Sequence, residues 1–123
     1  MKHTIRPSDK ELSTELMRRL DEMERQSRDT LAVSKAELAT LGAREPSEPE
    51  DDSARTVATA VLSELLVRER KALEEIAAAR ARLVAGTFGT CERCGRAIKR
   101  SRLEVLPTAR DCVRCQSQVE GGR

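Results

Sequence analysis

Four cysteines, and no others, fall in two tight pairs: Cys91-Glu92-Arg93-Cys94 and Cys112-Val113-Arg114-Cys115, with seventeen residues between them. Two residues inside each pair let a tight turn present both sulfurs to one ion, so the two pairs can supply the four corners of a tetrahedral Zn²⁺ site. Gly95 follows the first pair, where such a turn favours a residue free to take positive φ. The competing reading, two disulfides, belongs to secreted chains. The first twenty residues carry charges throughout and contain no apolar run, unlike a signal peptide. The longest mostly apolar stretch, Val57 to Val67, is interrupted by Thr59, Ser63 and Glu64 and is too short to span a bilayer. A cytoplasmic protein without a membrane segment is expected. A redox role for either Cys-x-x-Cys is the weaker alternative, because no strand–helix thioredoxin pattern surrounds it.

The rest of the composition argues against a broad core. Phe88 is the only aromatic residue, and 36% of the chain is charged. Such a mixture favours long helices packed along a narrow seam. Ser8-Asp9-Lys10-Glu11 reads as a capping box, in which the Ser8 hydroxyl and Glu11 carboxylate satisfy free backbone N–H groups. Leu12, Leu16, Leu20, Met23, Ser27, Leu31, Ser34, Leu38 and Leu41 then recur at steps of three or four, as one face of a helix does. Gly42 is the expected stop, with Pro46 and Pro49 opposing continuation. A second stripe follows on heptad spacing, through Ala58, Leu62, Leu65, Glu69, Ala72, Ile76, Ala79 and Leu83, and ends at Gly86 and Gly89.

Two stripes of matched length, each about 45 Å at 1.5 Å per residue, predict an antiparallel helical hairpin. The fold class expected is mainly α: a two-helix coiled-coil hairpin with a small C-terminal four-cysteine zinc-finger module. Residues 1–7 are read as a flexible N-terminus, 8–85 as the hairpin with its tip at about 43–53, and 86–123 as the finger with a short C-terminal tail. A monomer is expected, with dimerisation through the two stripes as the rival arrangement.

Charge divides between the two ends. Residues Glu45 to Asp52, in the tip, hold Glu45, Glu48, Glu50, Asp51 and Asp52 without a base. These carboxylates either cap the second helix or are carried away from the body to reach a cleft or a metal ion. From Cys91 to Cys115 seven bases face three acids. The face Arg93, Arg96, Lys99, Arg100 and Arg102 could meet phosphates, but no aromatic platform accompanies it. No catalytic constellation is present. His3 is the one histidine, there is no Gly-rich phosphate loop, and four thiolates would close the zinc shell to water. An enzyme is not expected.

The run Phe88-Gly89-Thr90-Cys91-Glu92-Arg93-Cys94-Gly95, with Ile98, Arg102-Leu103-Glu104, Pro107-Thr108-Ala109 and Cys112-Val113-Arg114-Cys115-Gln116, closely resembles the DksA/TraR zinc-finger family. The resemblance implies a transcription regulator that binds RNA polymerase directly at the rim of its secondary channel, with no sequence-specific DNA site. It implies that the coiled coil enters that channel and that the acidic tip lies near the active centre, modulating initiation. Counted back from Cys91, the family's Asp-x-x-Asp-x-Ala tip falls on Glu48, Asp51 and Ser53. An alternative register uses Pro49, Asp52 and Ala54. Arg68 matches a polymerase-contacting arginine of the family. The positions matching the cations that hold ppGpp carry Glu75, Leu106 and Gln116, so dependence on ppGpp is not expected. The alternative functions are a basic zinc finger that binds nucleic acid and a coiled-coil adaptor unrelated to polymerase.

Overall fold

A computed structural model describes residues 10–43 and 49–121. Four helices follow in order: α1 (Lys10–Ala43), α2 (Pro49–Ala85), α3 (Arg100–Val105) and α4 (Val113–Gly121). Among the described residues the only extended pairing is one antiparallel bridge between Thr90 and Ala97. The mainly α class is therefore borne out, with two long helices and a small cysteine-bearing module after them. The chain divides into two compact units.

The first unit comprises Met1–Glu22 and Glu75–Arg123. Its helical part runs antiparallel: Arg80 of α2 donates to Asp21 of α1 at 2.7 Å. Leu16, Leu20, Ile76, Ala79 and Leu83, all members of the two stripes, are buried here. Beyond α2 the buried side chains are Phe88, Cys91, Ile98, Leu103, Pro107, Ala109 and Cys115. Phe88, the chain's one aromatic ring, has 0% exposure, which stabilises this unit by roughly 1.5–3 kcal/mol through burial. α2 ends as the glycine predicts. Gly86 takes φ 79°, its N–H bonds the Leu83 carbonyl, and the Thr87 N–H reaches back to the Arg82 carbonyl. These two bonds satisfy carbonyls that the helix end leaves free.

The second unit is Met23–Glu74. Here the stripe positions are half-buried rather than buried, apart from Ser34; Leu66, which the heptad spacing omits, is buried instead. Small residues at Ser27, Ala58 and Ala72 remove little apolar surface from water, so this seam contributes less per turn than Leu20 and Ile76 do. A groove of about 720 Å³ lies in this unit, lined by Val33, Ala36, Leu41, Ala58, Val61 and Leu62 among others.

The turn differs from expectation. α1 runs through Gly42 to Ala43, and Pro49 opens α2 rather than barring it. Proline suits a first helical position because its fixed φ is helical and the missing N–H would lack a partner anyway. The tip expected at 43–53 thus shortens, with Asp51, Asp52 and Ser53 inside the first turns of α2. Residues 1–7, the Ser8 cap and Glu48 lie outside the described residues. Helices α3 and α4 were not anticipated; each is too short to show a repeating apolar face.

Candidate metal centre

The first cysteine pair sits on a small hairpin. Thr90 and Ala97 form its bridge, the Cys91 N–H bonds the Arg96 carbonyl at 2.8 Å, and the Ile98 N–H bonds the Gly89 carbonyl at 2.8 Å. Gly95 turns the chain at φ 77°, with its N–H on the Cys91 carbonyl at 2.9 Å. The second pair brackets the start of α4, where the Cys115 N–H points at the Cys112 Sγ at 3.5 Å. Between the two, the Glu92 N–H bonds the Arg110 carbonyl at 2.9 Å.

These bonds bring the four sulfurs within 4.8 Å of one another. Cys94 and Cys112 are 3.9 Å apart, beyond the ~2.05 Å of a disulfide and close to the roughly 3.8 Å edge of a tetrahedron with 2.3 Å Zn–S bonds. All four cysteines are free, so the disulfide alternative falls. The electrostatics fit a cation. Burial alone raises the Cys91 thiol, but backbone hydrogen bonds from Cys112, Cys94 and Arg93 outweigh it and bring the group down to about 6. Burial, with hydrogen bonding to Cys112, Cys91 and Cys94, pushes Cys115 up to about 12. Four adjacent thiolates resist joint ionisation until a divalent ion neutralises them. Cys91, Cys94, Cys112 and Cys115 are therefore positioned to hold one Zn²⁺ as a closed structural site.

Around the sulfurs the finger's bases have distinct tasks. Arg93 pairs with Asp111 at 3.2 Å, and the other Asp111 oxygen lies 3.9 Å from the Cys91 Sγ. Arg102 donates to the Asp111 carbonyl at 3.1 Å. Arg110 grips Glu75 of α2 with two nitrogens, at 2.6 and 3.2 Å, and approaches Glu92 at 3.4 Å. Arg82 lies 3.6 Å from Glu92 and reaches the Thr108 and Ala109 carbonyls at 3.4 and 3.5 Å. Burial draws its guanidinium below the ordinary range, with Glu92 opposing. So the basic face splits: Arg93 and Arg102 are engaged within the fold, whereas Arg96, Lys99 and Arg100 are exposed. The residues sequence reasoning missed are Arg82, Glu92, Arg110 and Asp111. Their ion pairs cross 10 to 35 positions, which no local pattern reports.

Glu75, Leu106 and Gln116 come together on one cavity of about 480 Å³ in the first unit, with Arg102, Arg110, Asp111 and Glu120 also on its wall. Arg68 is exposed on α2. Asp52 lies 4.0 Å from Arg55, one helical turn on, and its carbonyl accepts from Thr56 at 2.9 Å.

Residues 86–121 match the prokaryotic dksA/traR C4-type zinc finger. The fold is similar to that of transcription factor DksA2 from Pseudomonas aeruginosa, with a TM-score of 0.78 and 27% identity over 92% of this chain and 86% of that one. The finger belongs to the DksA/TraR zinc-finger family. Another relative is the RNA polymerase-binding transcription factor DksA of Haemophilus influenzae, 42% identical over 53 residues, 43% of this chain and 37% of that protein. General stress protein 16O of Bacillus subtilis is 39% identical over 67 residues, 53% of this chain and 41% of its own length. An uncharacterized protein of Aquifex aeolicus is 38% identical over 77 residues, 63% of this chain and 53% of its own. The chain thus spans about half or less of the length of these curated relatives. The family is one of transcription regulators rather than enzymes, in keeping with a zinc shell that four sulfurs complete. Among the described residues no helix is long and apolar enough to cross a membrane.

Proposed function

We propose that this protein is a DksA-type transcription regulator that binds RNA polymerase directly at the rim of the secondary channel. In this reading the helix pair enters the channel. The acidic tip at Glu48, Asp51, Asp52 and Ser53 acts near the active centre and modulates initiation. Arg68, exposed on α2, contacts polymerase. The zinc site is structural and takes no part in chemistry. The protein works as a cytoplasmic monomer, without sequence-specific DNA binding and without ppGpp.

The observation that carries this reading is the likeness to DksA2 along 92% of the chain, which includes both long helices as well as the finger. The test is co-purification with core RNA polymerase, followed by crosslinking from a photoreactive residue at position 51. Crosslinks to segments around the catalytic centre are expected. Asp51→Asn with Asp52→Asn should abolish the effect on transcription and leave polymerase binding intact. Normal regulation by that double variant would refute the tip mechanism, and failure to co-purify would refute the polymerase reading itself.

A further inference from the structure

The structure sorts the finger's cations into two groups that the sequence cannot separate. Arg93, Arg102 and Arg110 each have an acceptor inside the fold, on Asp111, on the Asp111 carbonyl, and on Glu75 with Glu92. Arg96, Lys99 and Arg100 have none among the described residues, and all three are exposed. Within residues 96–100 no acid intervenes. Of the two nearest in sequence, Glu92 pairs with Arg82 and Arg110, and Glu104 lies one turn along α3 from Arg100 with no ion pair to it among the described residues.

The backbone under these three side chains is held firmly. Arg96 supplies the carbonyl that closes the hairpin on the Cys91 N–H. Ile98, between the cations, has 0% exposure and returns its N–H to Gly89. The Lys99 carbonyl accepts from the N–H groups of Arg102 and Leu103 and so opens α3, whose Leu103 is buried. Inward Ile98 and Leu103 therefore leave Arg96, Lys99 and Arg100 as an outward basic edge on a rigid support. Arg114, which likewise has no acceptor among the described residues, lies on α4 and outside this run.

We infer that Arg96, Lys99 and Arg100 form a contact surface for the phosphate backbone of duplex nucleic acid, read without regard to sequence. Two partner classes carry the necessary negative charge, an acidic protein face and a phosphate backbone. A protein interface of useful affinity is centred on apolar or aromatic anchors, with charges at its rim. The segment 96–100 exposes no such anchor; its one large apolar side chain, Ile98, is buried. A nucleic-acid interface needs only charge and hydrogen-bond donors against phosphate. Single strands are held by stacking bases on aromatic rings, and the chain's only Phe, Tyr or Trp side chain, Phe88, is buried. Duplex backbone is what remains. This inference goes beyond the polymerase reading and does not depend on it.

The stoichiometry makes the inference quantitative. Three phosphate contacts on duplex DNA give a log–log salt slope of about −2.7, or about a 500-fold loss of affinity for a tenfold rise in salt. The experiment is fluorescence anisotropy of the full zinc-loaded chain with two unrelated DNA duplexes of about twenty base pairs, from about 20 to 200 mM salt. Equal binding to both duplexes with that slope is expected. Arg96→Gln, Lys99→Gln and Arg100→Gln should each remove about 0.9 from the slope, and the triple variant should lose binding with zinc content and helicity unchanged. Arg100→Lys should keep the slope, because a phosphate contact of this kind needs the charge rather than the guanidinium. Four results would overturn the assignment. These are no binding at the lowest salt, a slope near about −4.5 that requires Arg93 and Arg102 as well, undiminished binding by the triple variant, and preference for a polyglutamate peptide over the duplex.

Discussion

Arg110 holds Glu75 from 35 residues away, with Nε 2.6 Å from Oε1 and Nη2 3.2 Å from Oε2. The same guanidinium lies 3.4 Å from Glu92, and Glu92 sits between two of the zinc ligands. A helix-borne carboxylate, a finger arginine and a knuckle carboxylate thus form one chain of charge. Its partner on the other side of Glu92 is Arg82, again from α2. This network is how the first unit ties the cysteine pairs to its helix.

Glu75→Gln should therefore weaken the finger's attachment to α2 more than it lowers overall stability. Both partners are about a third exposed, so solvent screening limits the pair to about 1 kcal/mol or less. Thermal unfolding should shift by a few degrees at low salt, and the shift should shrink as salt is added. A double-variant cycle with Arg110→Gln is the check. A coupling energy of zero at low salt would mean that the contact does not operate in solution.

Phe88→Ala should be the most damaging apolar truncation in the chain. The ring is fully buried in a unit with few large side chains, so the cavity left behind cannot be refilled easily. A cost of about 3–5 kcal/mol is expected. Leu31→Ala, in the half-buried seam of the second unit, should fall below the 2–5 kcal/mol range of buried leucines. Denaturant unfolding of the two variants measures the contrast, and equal costs would show that the two units are packed alike.

Much of this was legible in the sequence because it is local and periodic. Every stripe residue from Leu12 to Leu41 and from Ala58 to Leu83 is buried or half-buried. Gly95 takes the positive φ expected where a knuckle must turn, and Gly86, where the second stripe was expected to end, takes one too. The four cysteines declared their purpose by spacing. What escaped was of two kinds. Pro49 opens α2 although its place in the sequence equally suits a barrier, because proline serves either role and only the backbone decides. The Arg110–Glu75 and Arg82–Glu92 pairs escaped because folding, not spacing, brings them together.

Zinc affinity should rise with pH, and the thiols set how steeply. A metal-free site at pH 7 has Cys91, at about 6, mostly ionised and Cys115, at about 12, protonated. Binding must then displace at least the Cys115 proton, so affinity should rise at least tenfold per pH unit near neutrality. As pH falls through about 6, Cys91 takes up a proton in the metal-free state. A second proton must then be displaced, and the dependence steepens by one further power of ten per unit. Competition against a chromophoric chelator from pH 5 to 8 would read both slopes. A flat profile near neutrality would be incompatible with a raised Cys115. Removing the metal should expose amides of residues 86–121 to exchange before those of Met23–Glu74, which lie in the other unit.

The cavity on which Glu75, Leu106 and Gln116 meet bears on nucleotide control. Its wall carries two guanidinium groups, Arg102 and Arg110, against three carboxylates, Glu75, Asp111 and Glu120. Neither arginine is idle: Arg110 is gripped by Glu75, and Arg102 donates to the Asp111 carbonyl. A polyphosphate entering here would have to displace a carboxylate from Arg110 and then lie beside it. Like charges at that range cost far more than one freed guanidinium returns. Transcription by polymerase carrying this protein should therefore change equally with and without ppGpp, if its only route is this cavity. Glu75→Gln should not by itself create a response, because Leu106 and Gln116 supply no cation in compensation. Run-off transcription from one responsive promoter, with and without ppGpp, decides the point, provided the polymerase lacks any other ppGpp site. A marked synergy that disappears in an Arg110→Gln variant would show that the cavity binds the nucleotide after all.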